Sequence, residues 1–280
     1  MKLNQKWLSQ LPIEKIISCE SVHGGDMNEA FRIKTASKTY FMKVQPKKPA
    51  SFFDHEKRGL NEMAKAGINT LQVLTSGQIE GDAYLLLNWL DRTSGNQADL
   101  GKMVAKMHQY HHEQFGFGDT YRTRILKKDN HWNSSWIDFY VNQRLMPEVE
   151  YAKKVGSWND YREKHFQKMV AAFKDYYAKN EVQPSLCHGD LWWGNVMFAK
   201  EKPYLIDPDA VYADREFDLA MTTVFGGFND EFYAAYNEVY PLKPDLERRL
   251  NWYRFYYLCM HLDLFGEEYG GEVDYILSNF

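Results

Sequence analysis

Apolar and polar positions follow two regimes along the chain. Up to about residue 90 the apolar residues come in short runs broken by turn-forming residues. Residues 31–34 and 39–44 are β-type runs separated by Thr35-Ala36-Ser37-Lys38, a pattern that predicts a hairpin. Phe53, Leu60, Met63 and Ala64 recur near the 3.6-residue period and predict a helix over 52–66, with Gly67 as its C-cap. Residues 71–77 and 83–87 predict two further strands about a Gly81-Asp82 turn. From Asp91 onward helical spacing takes over. Leu100, Met103, Val104 and Met107 form an apolar stripe ahead of His108. The same spacing recurs over 136–144 and over 161–179, where Phe166, Met169, Val170, Phe173 and Tyr177 share one face. Two short apolar runs, 195–199 and 203–207, interrupt the helices and predict a hairpin around Lys200-Glu201-Lys202. Helices return from Asp218. The expected architecture is α+β in two lobes: a small β-rich N-lobe over 1–88, a hinge near residues 88–91, and a larger helical C-lobe over 89–280.

Composition agrees with that division. A chain of 280 residues with 44% hydrophobic and 26% charged residues is globular and long enough for two lobes. Its net charge of -4, with no basic stripe, argues against a nucleic-acid partner. Three cysteines, Cys19, Cys187 and Cys259, are odd in number and lack a CxxC spacing, so neither a disulfide framework nor a zinc site is expected. Reduced thiols and an N-terminus without a signal-type apolar run predict a cytoplasmic protein. The longest apolar stretch, 83–90, is too short to span a membrane and contains Asn88, so no membrane association is expected. Nothing in the pattern speaks to oligomeric state.

The candidate chemistry centres on Cys187-His188-Gly189-Asp190-Leu191-Trp192-Trp193-Gly194-Asn195. Asp190 precedes Asn195 by five positions, the spacing of the kinase catalytic loop H-x-D-L-x-x-x-N. In such a loop the Asp takes the acceptor hydroxyl's proton and the Asn holds a metal ion on the phosphates. Asp207, in Tyr204-Leu205-Ile206-Asp207-Pro208, ends a predicted strand seventeen positions later, where a carboxylate can hold Mg²⁺. Lys43 lies on a predicted strand and Glu56 on the following helix, the order expected of a phosphate-binding lysine and the acid that steadies it. Gly24 and Gly25, just ahead of a strand, would let backbone N–H groups approach phosphates. Singly, an Asp-Pro, a strand lysine or a glycine pair is ordinarily a turn or a surface charge. In this order, together, they predict a kinase.

With these residues the chain resembles the fructosamine kinase (ketosamine kinase) family over most of its length. The resemblance is carried by Gly24-Gly25-Asp26-Met27-Asn28, Tyr40-Phe41-Met42-Lys43, the segments 53–60, 100–108 and 115–117, His188–Asn195, Ile206-Asp207-Pro208 and the segment 214–221. The HGD…N and IDP pair is shared with aminoglycoside phosphotransferases and choline kinases; Trp192 and the DRExDLAM segment are more specific. The resemblance implies a protein-kinase-like fold and ATP- and Mg²⁺-dependent phosphorylation of the 3-hydroxyl of a ketosamine, in support of deglycation. It implies that Lys43 and Glu56 clamp phosphates, that Asp190 is the catalytic base, and that Asn195 and Asp207 are metal ligands. By the same resemblance Asn88, Trp89 and Leu90 form the adenine hinge, although the family more often has Glu where Asn88 stands. Trp192 and His188 are assigned to the acceptor pocket, and Arg215 and Asp218 to structural anchoring. The chain departs from the family at 118–125, which carries extra positive charge, at Asp209 and at Trp193. These departures lie where an acceptor would bind, so its amine portion, free amino acid or protein-bound lysine, stays open. Arg122 and Arg124 read as surface charges, with service to an anionic acceptor as the alternative. The competing readings are a related kinase for an aminoglycoside, choline or another sugar, and a catalytically silent binding module. The intact Lys43, Asp190, Asn195 and Asp207 set argues against the latter.

Overall fold

The computed structural model describes residues 3–22, 28–123 and 125–280. The expectations for Gly24, Gly25 and Arg124 lie outside the described residues. The chain forms two compact units, Met1–Gly95 with Met197–Asp207, and Asn96–Val196 with Pro208–Phe280.

The first unit begins with a short helix, α1 (Gln5–Leu8), capped by the Asn4 side chain. Strands β1 (Ile16–Ser21), β2 (Glu29–Thr35) and β3 (Thr39–Gln45) follow. A 3₁₀ turn over Ala50–Phe53 leads into α2 (Asp54–Lys65), so the first predicted turn of that helix is 3₁₀ rather than α. Strands β4 (Val73–Ile79) and β5 (Asp82–Asn88) complete an antiparallel sheet of order β1-β2-β3-β5-β4. Gly67 sits at φ +76, as its C-cap role requires.

The strand period of two decides what each face of this sheet carries. On β3, Tyr40, Met42 and Val44 join Trp7, Phe31, Ile33 and Leu86 in one buried cluster. Phe41 and Lys43 point the other way, paired across the ladder with Leu87 and Leu85, which belong to a second cluster with Phe53 and Leu60. Lys43 therefore emerges on the face that packs against α2, the helix that carries Glu56.

The hairpin Val196–Ala199/Lys202–Leu205 turns through Lys200 and Glu201, both at positive φ (50° and 61°). That is the backbone of a tight hairpin turn matched to strand twist. A single break after residue 88 would assign this hairpin to the second lobe. Instead residues 197–207 group with the first unit, because Asn69 Nδ2 donates to the Pro203 carbonyl (3.1 Å), Thr70 Oγ1 to that of Leu205 (2.6 Å), and the Thr93 N–H to that of Phe198 (2.8 Å).

The second unit is mainly helical: α3 (Gln97–His108), α4 (Trp136–Tyr140), α5 (Met146–Val155), α6 (Asp160–Tyr177), α7 (Glu216–Val224), α8 (Asp230–Val239), α9 (Leu246–Phe265) and α10 (Gly270–Leu277). The helix predicted over 136–144 passes after Tyr140 into a π-helical turn, Val141–Leu145. There Arg144 turns inward, donating to the Asp129 carbonyl (2.7 Å) and to the Asn130 side chain. Rings fill the core. Tyr140 lies 4.9 Å from Phe173, Phe217 lies 4.8 Å from Tyr257, and the Tyr140 hydroxyl donates to the Trp252 carbonyl. Tyr177 is half-buried rather than core, and its hydroxyl donates to Asp214. Among the described residues no helix is long and apolar enough to cross a membrane.

Polar groups also join these helices. Arg249 of α9 forms a two-pronged pair with Glu216 of α7 (2.7 and 2.8 Å), both side chains buried. Glu148 of α5 meets Asp263 of α9; Glu148 Oε2 and both Asp263 carboxyl oxygens are buried with no hydrogen-bond donor facing them among the described residues. Two carboxyls in that setting retain a proton between them. Burial, reinforced by the neighbouring Glu148, pushes Asp263 up to about 8. The folded state then holds a proton that the unfolded chain, titrating near pH ~4, has lost. Stability contributed by this pair falls as pH rises from that value through about 8. Asp263→Asn is expected to match the parent's melting temperature at acid pH and to exceed it increasingly up to pH 8, as thermal melts across pH would read.

Candidate active site

Within the first unit Lys43 is the centre of a charge cluster. Its Nζ lies 2.7 Å from Glu56 Oε1 and 2.7 Å from Asp207 Oδ1. Burial works against the Lys43 charge, but the two carboxylates outweigh it and keep the ammonium protonated. Asp207 has a left-handed backbone (φ +56), a conformation that costs a non-glycine residue about 1–3 kcal/mol and that concentrates at functional positions. In the same unit, Asn88 closes the end of β5 by accepting the Gln72 N–H through its side chain (2.6 Å). Trp89 is covered by the Arg32 guanidinium at 4.5 Å and donates to Asp91 (2.8 Å). Leu90 packs with Phe41, Val73 and Ile206 against the cluster that holds Leu85 and Leu87.

Within the second unit the loop 188–195 follows the strand Ser185–Cys187, which pairs with Val211–Ala213. Asp218, fully buried on α7, accepts the backbone N–H groups of His188 (2.6 Å) and Gly189 (2.8 Å). It also accepts Nε2–H of the equally buried His108 (3.1 Å), whose Nδ1 accepts the Tyr236 hydroxyl (2.8 Å). Gly189 has φ +81, and a Cβ there would stand 1.9 Å from the Asp209 carbonyl oxygen. Cys187 shares this region with His108 and Asp218. Burial keeps its thiol protonated, and its S–H points at the Asp214 carbonyl.

Asp190 is aimed by its neighbours. Its N–H donates to His188 Nδ1 (3.3 Å). Asn195 Nδ2 donates both to its carbonyl (2.8 Å) and to its carboxylate (3.0 Å). This commits the Asn195 nitrogen and turns its amide oxygen, a hard donor of the type Mg²⁺ takes, to the other side. Desolvation pushes the Asp190 carboxyl up to about 6, with His188 and Lys128 opposing and Asp209 adding to the effect. That is the range in which a carboxylate serves as a base near neutral pH.

His188, expected at the acceptor, is 0% exposed. The structure turns it into the loop, where its Nδ1 accepts the Asp190 N–H. Trp192 is 39% exposed, and its indole lies over Gly194, where an added Cβ would come within 2.2 Å of the ring. Arg215 is structural: its guanidinium donates to the Tyr240 and Pro241 carbonyls and stacks 3.6 Å from the Tyr240 ring.

Sequence reasoning did not find the polar group around Asp209. Tyr121 and Lys128, from the small sheet Thr120–Arg122/Lys127–Asp129, both donate to its carboxylate. Lys128 is held charged by Asp209 despite its burial. The departures at 118–125 and Asp209 were the available signal, but only the tertiary contacts of Tyr121 and Lys128 join them.

A protein with a five-stranded antiparallel sheet bearing a Lys–Glu pair, and a helical unit with an Asp–Asn loop, belongs to the kinase-fold phosphotransferases. The family model described as "Fructosamine kinase" matches residues 1–280, and the chain belongs to that family. It is 47% identical to the "Probable ketoamine kinase" of Lactiplantibacillus plantarum, over 100% of both chains. It is 30% identical to the "Protein-ribulosamine 3-kinase, chloroplastic" of Arabidopsis thaliana, covering 99% of this chain and 86% of that one. A solved "putative fructosamine-3-kinase" of Thermobifida fusca is 28% identical, with 95% and 93% of the chains covered and a TM-score of 0.85. The aminoglycoside phosphotransferase APH(4)-Ia, solved with ADP and hygromycin B, shares the fold at 14% identity, covering 94% of each chain with a TM-score of 0.67.

Removing the Asp218 carboxylate would strand the His188 and Gly189 N–H groups, and each buried unpaired donor costs about 1–3 kcal/mol. Asp218→Ala is expected to lower the denaturation midpoint and to lose activity together, whereas Asp218→Asn, which keeps one acceptor oxygen, should lose less stability. Chemical denaturation of the two variants checks the order.

Proposed function

We propose that the protein transfers the γ-phosphoryl group of ATP to the 3-hydroxyl of a ketosamine. The observation that carries this reading is the match to the fructosamine kinase family over the whole chain, with Asp190 and Asn195 joined in one hydrogen-bonded loop. Relatives named ketoamine kinase and ribulosamine 3-kinase support the acceptor class and the hydroxyl. The aminoglycoside phosphotransferases share the fold at too low an identity to favour their acceptor.

On this reading Asp190 accepts the hydroxyl proton as the oxygen attacks phosphorus and the bond to the ADP oxygen breaks. Its raised pKa leaves it ionised at neutral pH yet basic enough to take the proton. Lys43, steadied by Glu56, binds the phosphates, and Asn88, Trp89 and Leu90 receive the adenine. The Asn195 amide oxygen and the Asp207 carboxylate would hold Mg²⁺, both being oxygen donors. Bound Mg²⁺ supplies neutralisation of the phosphate charge. Trp192 forms a wall of the acceptor pocket. ATP as phosphoryl donor and three free cysteines fit a cytoplasmic enzyme.

Asp190→Asn should still bind Mg-ATP but lose about 10²–10⁴-fold in single-turnover rate, the usual effect of removing a positioned base. Near-parental turnover would remove Asp190 from the chemistry. For Asp207→Ala the expected result is loss of the Mg²⁺ dependence of ATP affinity along with activity. Nucleotide titrations with and without Mg²⁺ read this directly, and an unchanged dependence would exclude Asp207 as a ligand.

A further inference from the structure

The small sheet Thr120–Arg122/Lys127–Asp129 is too slight to stand alone. Its strands have three residues each, and a two-stranded ribbon is marginal in water. On one face Arg122 pairs with Lys127, two exposed groups of like charge that repel. Support comes from outside the sheet. The Asn130 carbonyl accepts the N–H groups of Phe117 (2.9 Å) and Gly118 (2.8 Å), and Arg144 donates to the Asp129 carbonyl (2.7 Å).

The other face is the one with a use. Tyr121 and Lys128 are cross-strand partners, so their side chains stand side by side, and both donate to the Asp209 carboxylate. The Lys128 side chain is 11% exposed and that of Asp209 25%, and the ammonium lies 5.7 Å from the Tyr256 ring. A lysine so committed has little left to offer a ligand. Stability alone does not explain the pair either, because desolvation of two buried charges offsets most of their attraction. Asp209 and the segment 118–125 are both places where this chain departs from its family, and here they meet.

Asp209 leads directly to the catalytic loop. Its carbonyl oxygen lies so close to Gly189 that a Cβ there would stand 1.9 Å away. Asp218 accepts the Gly189 N–H (2.8 Å) and the Tyr257 hydroxyl donates to the Gly189 carbonyl (3.0 Å). The Asp209 carbonyl adds a steric stop at the Gly189 Cα, one residue before Asp190. Both charges of the clamp also reach the Asp190 carboxyl, Asp209 raising and Lys128 lowering its affinity for a proton.

We propose that Lys128 and Tyr121 are positioning residues for phosphoryl transfer. By clamping the Asp209 side chain they hold its carbonyl against Gly189 and so aim the Asp190 carboxylate. The proposal rests on Asp190 being the base. Both residues act through Asp209 and the loop.

The test is single-turnover and steady-state kinetics with Mg-ATP and a fructosamine for the parent, Tyr121→Phe and Lys128→Met. The same two substitutions are also made in the Asp190→Asn background. In Lys128→Met the transfer rate should fall about 10–100-fold, and in Tyr121→Phe about 3–10-fold, as expected for a misaimed group. KM for ATP should stay within about twofold in both, since the nucleotide site is untouched. In the Asp190→Asn background neither substitution should lower the residual rate by more than about twofold, because a residue that acts through the base has nothing left to aim. A residue that only holds the fold would cost the same factor in both backgrounds. Lys128→Met strands the Asp209 carboxylate and lowers the melting temperature; Tyr121→Phe keeps the ion pair and should melt near the parent, so it decides the matter if Lys128→Met does not fold. Parental rates in both single variants, or equal losses with and without Asp190, would overturn the proposal. Parental turnover in Asp190→Asn itself would overturn the assignment of the base, and the proposal with it.

Discussion

The buried carboxylate of Asp218 is what the catalytic loop rests on. A charge with no access to water is tolerated only where donors surround it, and here the His188 and Gly189 N–H groups and the His108 ring do so. The relation runs both ways. Those two N–H groups, at the end of a three-residue strand, would otherwise be orphaned in the interior. Because Gly189 is in the left-handed region and pressed against the Asp209 carbonyl, the loop has one path to follow. Asp190 and Asn195 come together at its end.

The same economy of buried charge recurs elsewhere. Lys43 has 6% of its side chain exposed and carries a carboxylate on each side, so it is oriented before any nucleotide arrives. Lys128 and Tyr121 fix Asp209, and Arg249 fixes Glu216. Removing one partner from such a pair leaves the other buried and uncompensated, so these pairs hold geometry more than they add stability. The Glu148–Asp263 pair differs. Among the described residues it meets no cation in hydrogen-bond contact and keeps a proton instead, which ties the α5–α9 contact to pH.

Aromatic residues make up 16% of the chain and serve two ends. Most are core, where Tyr140, Trp252, Tyr253 and Phe173 fill the space between helices; the Tyr140 hydroxyl donates to the Trp252 carbonyl and the Tyr253 hydroxyl to Asp214, whereas the buried Trp252 indole N–H meets no acceptor among the described residues. A minority stand on the surface beside the loop. The difference between Tyr253, wholly buried and donating to Asp214, and Phe225, largely exposed, is invisible in a local pattern.

Local spacing by itself determined much of this protein. Alternation on β3 put Lys43 on the face toward Glu56. The five-residue interval of the loop joined Asp190 to Asn195, and a strand followed by Asp-Pro marked Asp207. These features are short-range, governed by strand and turn periods that a few residues express. Tertiary structure decided the rest. It moved the hairpin around Lys200 into the first unit through contacts with Asn69, Thr70 and Thr93. It buried His188 as a support, wound residues 141–145 into a π turn around Arg144, and joined Tyr121, Lys128 and Asp209 across about eighty residues. Each of these depends on which distant groups satisfy a buried donor or acceptor, a condition set by packing and carried by no local period.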